Sequence, residues 1–440
     1  MAGSTIRAPA VPLPMLQTLR PIASLLLGVA LLLGGTGLLN TLIQLQGSTL
    51  GFSDTLLGAL TSAYYLGFLA GTFIGPPLVR RIGHIRAFGF YAATCACGVL
   101  LHALAEAPAL WMVLRVVVGM ALVGLYTVIE SWLNAQAGPT QRGSVFASYM
   151  MVNLGALAVA QQLLRVDLDP VLLLFVLSGL LVTASTLPVL ITRMSQPVLA
   201  PTPRLAVRRL FATAPTAGVG AIVSGLAMGA FWGMVPVWGM RIGLDAAEIG
   251  TYMSVAIVGG AALQIPLGRL SDRRDRRLAL AIVCALACAL ALAAPLTADL
   301  RLTPYAIAFL YGGMAFAVYP IVVAHLLDHL SPEEVLAASS SVLLLNGLGS
   351  AIGPLIAGAL MGALGPGVLF AWFAATQGGL GAYALYRYYA FRRARALEPH
   401  FQPMLRTTPE ALGLIVENEN ADGATPADPE AGSQAPTPPR

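Results

Sequence analysis

Lysine is absent from this 440-residue sequence, and all 25 of its basic residues are arginines. A P-loop needs a lysine on the nucleotide phosphates, and Schiff-base catalysis needs a lysine amine. The sequence therefore excludes ATP-driven pumping and imine chemistry by this chain. Energy for any transport would have to come from a gradient.

Charge of either sign is also scarce. Only 10% of the residues are charged, against roughly 25% in a soluble domain, whereas 57% are hydrophobic. Apolar runs of about 18 residues or more recur along most of the chain, and each is long enough to cross a hydrocarbon layer of about 30 Å. The composition predicts an integral membrane protein whose main partner is the lipid bilayer.

Cysteine is rare and poorly placed for metal binding. The four cysteines, Cys95, Cys97, Cys284 and Cys288, lie in apolar runs without the histidines or carboxylates of a tetrahedral site. We interpret them as packing residues and predict no metal and no cofactor. The isoelectric point of 9.2 does not indicate nucleic acid, because the arginines lie in short loops where membrane orientation explains them.

Hydropathy predicts twelve membrane-spanning helices and hence an all-α membrane protein. The predicted spans are residues 22–45, 55–79, 87–105, 109–135, 144–165, 170–192, 212–239, 247–271, 278–297, 302–327, 335–362 and 367–390. The first span, about 24 residues long, exceeds the apolar region of a cleaved signal peptide, so we expect it to be retained as an anchor.

The arginines are distributed unevenly between the two ends of these spans. With the N-terminus inside, most of them fall on the cytoplasmic side, where arginine is enriched in membrane proteins. The exceptions at or near the opposite face are Arg115, Arg165, Arg241 and Arg301. We therefore predict cytoplasmic N- and C-termini and residence in a bacterial-type cytoplasmic (inner) membrane.

The spans form two groups of six. A proline-containing linker at 194–210 separates a bundle at 20–193 from a bundle at 211–392. Outside them lie a cytoplasmic N-terminal segment, 1–19, and a tail, 393–440, with too few large apolar residues to order itself.

The two halves resemble each other at an offset of 192 to 193 residues. Three matches share this offset and the same span order: Gly119 with Gly312, Tyr126 with Tyr319, and Asn153 with Asn346. A duplicated six-helix unit is what a two-domain carrier requires.

The most specific motif is the loop at 268–277, GRLSDRRDRR, between spans eight and nine. It resembles the G-x-L-x-D-R-x-G-R-R loop of the major facilitator superfamily, with Asp275 in place of the second glycine. The first-half counterpart at 76–86, PPLVRRIGHIR, keeps Arg81 but has Arg80 in place of the acid.

Span four resembles this family in two further elements. The segment from Arg115 to Gly119 is similar to its R-x-x-x-G element, and the stretch ESWLN at 130–134 resembles the YcaD-like branch. The resemblance covers about residues 20–392. It implies a pseudo-symmetric six-plus-six fold with alternating access.

Five residues are predicted to act in gating or proton coupling: Glu130, Arg81, Asp272, Arg273 and Arg276. A carboxylate at a helix end can hold nearby guanidinium groups and close the inner face. An embedded Glu130 can exchange a proton, or it can pair with an arginine of the 80–86 loop as a structural gate. A plain topology loop is the alternative for residues 272–276.

Polar and aromatic residues inside the spans are predicted to bind substrate: Asn40, Gln44, Arg115, Tyr126, Asn153, Gln161, Trp232, Tyr319 and Asn346. Central sites at a repeat interface are where carriers bind solutes. Interhelical hydrogen bonding is the alternative for Asn153 and Asn346, and snorkelling to the headgroups is the alternative for Arg115.

The sequence therefore predicts a monomeric secondary active transporter of a small solute, coupled to protons as an antiporter and directed towards efflux. It is not predicted to be an enzyme, because no acid-rich run or nucleophile with a base accompanies a span. A sensor or assembly protein that keeps the transporter fold without flux is the main alternative, and a membrane-embedded enzyme is a further one.

Overall fold

The computed structural model describes residues 22–136, 142–166, 171–191, 197, 207–297, 302–330 and 332–390. These residues are 92% helical and contain no strand, which confirms the predicted all-α class. The predicted N-terminal segment and tail, and most of the predicted linker, lie outside the described residues.

Fourteen α-helices make up the described part of the chain. They are α1 Ala23–Thr49, α2 Asp54–Ile82, α3 His84–Leu104, α4 Pro108–Gln136, α5 Arg142–Gln162, α6 Leu172–Ala184, α7 Thr186–Ile191, α8 Val207–Thr213, α9 Pro215–Arg241, α10 Ala246–Asp272, α11 Arg276–Ala293, α12 Thr303–Leu327, α13 Pro332–Leu364 and α14 Val368–Ala390. By length and composition, twelve spans in this part are able to cross a membrane, with α6 and α7 forming one of them. The predicted number of spans is confirmed.

Loop chemistry explains where several helices begin. Asp245 caps α10 in a capping box, accepting from the backbone N–H of Glu248 while the Glu248 carboxylate accepts from the backbone N–H of Asp245. Gly83 alone forms the turn between α2 and α3, with a φ of 83° that glycine adopts without strain.

Matching glycines give the two halves the same internal packing. Gly119 lies against the backbone carbonyl of Tyr64, which joins α4 to α2, and Gly312 lies against that of Ala256, which joins α12 to α10. A Cβ at either glycine would overlap backbone atoms, so the helices approach as closely as only glycine permits. Both contacts follow the repeat offset that the sequence indicates.

The two halves meet near one face of the bundle, here called the closed face and defined by residues 49–54 and 241–246. Across it, Arg241 donates to Asp54 Oδ1 from Nε at 2.8 Å and from Nη2 at 2.7 Å. Gly58 of α2 lies against the backbone carbonyl of Pro354 in α13, too close for a Cβ. This face is therefore sealed by a salt bridge and by backbone contact.

A second seam between the halves joins α5 to α10. Gln162 Nε2 donates to Ser254 Oγ at 2.7 Å, and that hydroxyl donates to the carbonyl of Ala158 at 2.7 Å. Arg165 Nη2 donates to Thr251 Oγ1 at 2.7 Å. These bonds also lie on the side of the closed face.

The opposite face, here called the open face, is defined by residues 80–86 and 272–276. The helices α4 and α12 end on this side, and their described residues make no extended contact with each other. Among the described residues, the hydrogen bonds and the backbone contact between the halves named above all lie on the side of the closed face.

Candidate functional site

A cavity of about 150 Å³ lies at the centre of the molecule. The first half lines it from α1, α2, α4 and α5, and the second half from α9, α12 and α13. Seven of the nine predicted substrate-binding residues line it: Asn40, Arg115, Tyr126, Asn153, Trp232, Tyr319 and Asn346.

The other two predicted residues, Gln44 and Gln161, are buried outside the cavity lining. Gln44 Nε2 donates to Thr61 Oγ1 at 2.8 Å, and Thr61 itself lines the cavity. Gln161 accepts from the Thr41 hydroxyl at 2.8 Å and donates to the carbonyl of Gly37 at 3.3 Å. These amides join helices, in the way polar side chains do between membrane helices.

Arg115 is held firmly in the cavity wall with 1% of its surface exposed. Its Nη1 donates to Asn40 Oδ1 at 2.8 Å and its Nε donates to the carbonyl of Leu60 at 3.4 Å. The guanidinium carbon lies 4.4 Å from the ring centroid of Tyr64, in a cation–π contact. The side chain points into the protein rather than to the outer headgroups.

Aromatic residues that sequence reasoning did not single out complete the cavity. On α2, Tyr64, Tyr65 and Phe68 follow Thr61 at helical spacing, and all four line the cavity. On the second half, Phe316 stacks edge-on against Trp232 with ring centroids 5.8 Å apart. The spacing on α2 was the available signal, although such stripes occur equally in packed cores.

Glu130 is fully buried in α4, on the open-face side of the cavity. The Tyr149 hydroxyl donates to Glu130 Oε1 at 3.0 Å. Asn153 lies beside the Tyr149 hydroxyl and lines the cavity, and its amide atoms make no hydrogen bond of good geometry with the described residues. A polar path therefore runs from the cavity through Asn153 and Tyr149 to Glu130.

The arginines at the end of α2 and the start of α3 do not contact this acid. Arg80, Arg81 and Arg86 are exposed at the open face, and no hydrogen bond or ion pair of the described residues joins any of them to Glu130. Arg81 was predicted from the sequence to act in the gate, and in the structure it lies exposed at the open face without contacting Glu130.

At the second-half loop, Arg276 ties three helix ends together. Its Nη1 donates to Asp272 Oδ1 at 2.9 Å and to Ser271 Oγ at 3.2 Å, while its Nε donates to Asp328 Oδ2 at 2.7 Å. Arg276 is buried, whereas Arg273 is exposed. The cluster joins α10, α11 and the end of α12 within one half.

Asp275, which replaces a glycine of the family loop, caps α11. It accepts from the backbone N–H of Arg277 at 2.9 Å and pairs with the Arg277 guanidinium at 2.9 Å. Burial raises the pKa of Asp275, but the hydrogen bonds and charge of Arg277 outweigh burial and hold the pKa below its ordinary value. The replacement therefore supplies a helix cap.

Asp328 is expected to make stability depend on pH. Burial raises its pKa from 3.8 to about 6, against the opposing effect of Arg276. Because the folded protein holds this proton more tightly, the contribution of Asp328 to the free energy of unfolding is largest below pH 3.8 and is lost as the pH rises through about 6.

We therefore expect the wild type, relative to Asp328→Asn, to lose on the order of 2 to 3 kcal/mol of stability between about pH 4 and pH 7. Melting temperatures of both purified proteins across this range measure the difference. A difference in melting temperature that does not change with pH would contradict the expectation.

The described residues contain no group of three or more His, Cys, Asp or Glu side chains able to hold a metal ion. The chemistry available in the cavity is therefore that of one guanidinium, amides, hydroxyls and aromatic rings.

Comparison with known proteins gives consistent matches. A profile of the Major Facilitator Superfamily matches residues 25–161 and 217–415. An uncharacterized MFS-type transporter of Yersinia pestis (strain Pestoides F) is 29% identical, over 80% of this chain and 91% of that protein. The MFS-type transporter YcaD of Escherichia fergusonii is 28% identical, over 81% of this chain and 93% of its own length.

Among solved structures, a variant of the nucleoside transporter NupG superposes with a TM-score of 0.71. The match covers 84% of this chain and 99% of that structure at 14% sequence identity, so it supports the fold alone.

Proposed function

The chain belongs to the Major Facilitator Superfamily, and on that basis we propose that it is a secondary active transporter that moves a small solute by alternating access. The observation that carries this proposal is a central cavity lined by both halves, with the described residues of the two halves joined at the closed face by the Arg241–Asp54 pair and the Gly58–Pro354 contact. The bundles predicted at 20–193 and 211–392 are the two moving bodies of this mechanism.

The open face is assigned to the cytoplasm. Arg80, Arg81, Arg86, Arg273 and Arg274 are exposed on it, and arginine is enriched in cytoplasmic loops of membrane proteins. The structure then corresponds to an inward-open state of a transporter in a bacterial cytoplasmic membrane, with the Arg241–Asp54 pair as part of the outer gate.

Glu130 is the proposed coupling group. It is a buried acid connected to the cavity by Tyr149 and Asn153, so its protonation state can respond to the solute and to the position of the halves. Proton-coupled antiport, with efflux of the solute by a monomer, is the proposed overall reaction. The motif content of the chain, with the 268–277 loop and the Arg115–Gly119 element together, is of a kind common among exporters and favours efflux.

Alternating access predicts that one cavity position is reachable from each side of the membrane in turn. Ser224 lines the cavity from α9 and is small, so Ser224→Cys in a protein without the four native cysteines provides the reporter. Its reaction with a membrane-impermeant maleimide is measured in right-side-out and in inverted vesicles. We expect labelling from both sides, with rates that a proton gradient shifts in opposite directions.

A matched variant controls for non-specific reaction. Ala92 of α3 is equally buried but lies outside the cavity, so Ala92→Cys should stay unlabelled from both sides. Labelling of the cavity position from one side only, under every gradient, would contradict transport and favour a sensor that binds without flux.

A further inference from the structure

We propose that the central cavity selects an organic monoanion with an apolar body, whose charged group pairs with Arg115. This proposal rests on the transport function above and adds the chemical class of the solute. It follows from the charge of the cavity, from the free hydrogen-bonding capacity of Arg115 and from the different character of the two walls.

The cavity carries one unbalanced positive charge. Arg115 is the one charged side chain among the described residues that line it, and it forms no ion pair within the described part of the chain. Glu130 lies 15 positions further along the same helix, about 22 Å away along its axis. Asp54 of α2 is already engaged by Arg241 at 2.7 Å.

An uncompensated guanidinium inside a membrane protein is costly, and a partner of opposite charge removes much of this cost. Two nitrogens of Arg115, Nε and Nη1, are oriented by Leu60 and Asn40, whereas Nη2 donates no hydrogen bond to the described residues. A carboxylate or sulfonate supplies both the missing charge and the missing acceptor. A neutral solute supplies at most the acceptor.

The two walls of the cavity differ because the repeat has lost its symmetry here. At the repeat offset, Arg115 corresponds to Ala308 and Asn40 corresponds to Trp232. The second-half wall has no charged residue among its described lining residues, and Met228, Trp232 and Phe316 form its apolar part beside the polar Ser224, Tyr319, Asn346 and Ser350. A bound solute therefore places its anionic group towards Arg115 of α4 and its apolar part towards Met228, Trp232 and Phe316.

One cation also limits the charge of the solute. A second negative charge would be buried without a partner among the described lining residues, at a cost comparable to that of any isolated buried ion. Polar groups of a monoanion still have partners, since Asn153 presents amide atoms without good hydrogen bonds.

The test compares compounds that share an apolar body and differ in the polar head group and its charge. One set is phenylacetate, phenylacetamide and phenethylamine, and a second is octanoate, octanamide and octylamine, which separates aromatic acids from lipid-derived ones. Binding to purified protein in lipid nanodiscs is measured by thermal stabilisation and by tryptophan fluorescence, since Trp232 lines the cavity. We expect at least one acid to bind about 10-fold or more tightly than its amide and its amine.

Three variants assign the preference to Arg115. Arg115→Gln should bring the acid-to-amide ratio close to one, and Arg115→Lys, which retains the charge, should restore part of it. Arg208→Gln removes an exposed arginine of α8 and should leave the ratio unchanged.

The proposal is overturned if the amide or the amine binds to the wild type as tightly as the matching acid, or if no acid binds. It is also overturned if the Arg115→Gln variant still prefers the acid over the amide. Because the charge ratio is measured in the wild type, misfolding of a variant does not decide the result. Transport is tested separately by the Ser224→Cys labelling, so a carrier of neutral solutes would contradict the anion proposal alone.

Discussion

Glu130→Gln is expected to abolish gradient-driven accumulation while solute exchange continues. Each pH unit across the membrane supports about a tenfold concentration ratio for each coupled proton, since tenfold corresponds to 1.36 kcal/mol. A glutamine keeps the size and the hydrogen-bonding capacity toward Tyr149 but cannot carry the proton. In proteoliposomes with an imposed pH gradient, the ratio should fall from about ten in the wild type to about one.

A measurement of solute exchange distinguishes a role of Glu130 in proton coupling from a role in gating. Counterflow of labelled against unlabelled solute needs both conformations but no net proton movement, so it should remain within about twofold of the wild type. Glu106 lies exposed in the loop before α4, and Glu106→Gln should leave both readouts unchanged. Full accumulation by Glu130→Gln would show that another group carries the proton; loss of exchange as well would indicate a structural gate.

Gly58→Leu is expected to prevent the closed face from sealing and to stop transport. A Cβ at residue 58 already meets the backbone carbonyl of Pro354, which cannot move aside as a side chain can. Overpacking of this kind costs about 1 to 3 kcal/mol, enough to shift the balance between conformations by about 5- to 150-fold. The penalty applies only when the face is closed, so the protein should accumulate in the state open to the other side.

Spin labels at Thr49 and Ile242, exposed at the closed-face ends of α1 and α9, measure this shift directly. The label-to-label distance should increase by several ångströms, and solute exchange should fall in proportion to the lost inward-open population. Gly89 of α3 has open space at its Cβ position, so Gly89→Leu is the matched control. An unchanged distance distribution in Gly58→Leu would contradict the role of this contact.

Much of the fold could be predicted because lipid constrains a sequence strongly. Apolar length and arginine distribution gave the number of spans, and the repeat offset located Asn153 and Asn346 at matching positions. Both line the cavity. A polar side chain at mid-membrane depth needs a polar setting, so depth and symmetry together were informative for these residues.

The sequence was less informative about which face of each helix lines the cavity. Gln44 and Gln161 lie in helices that are apolar on nearly all sides, so no amphipathic stripe indicates which face meets the cavity. Contacts between the halves could not be predicted from the sequence either. Asp54 and Arg241 are 187 positions apart, and nothing in either local sequence indicates the other as its partner.

The backbone contacts at Gly119 and Gly312 determine how movement travels through the molecule. Helices in contact at this distance cannot slide past each other without clashing, so α2 with α4, and α10 with α12, behave as stiff levers. With 29 residues, α2 is about 43 Å long. When such a helix pair tilts about a point near the cavity, its two ends move in opposite directions. The opening of the cavity at one face therefore closes it at the other, and both faces cannot open at the same time.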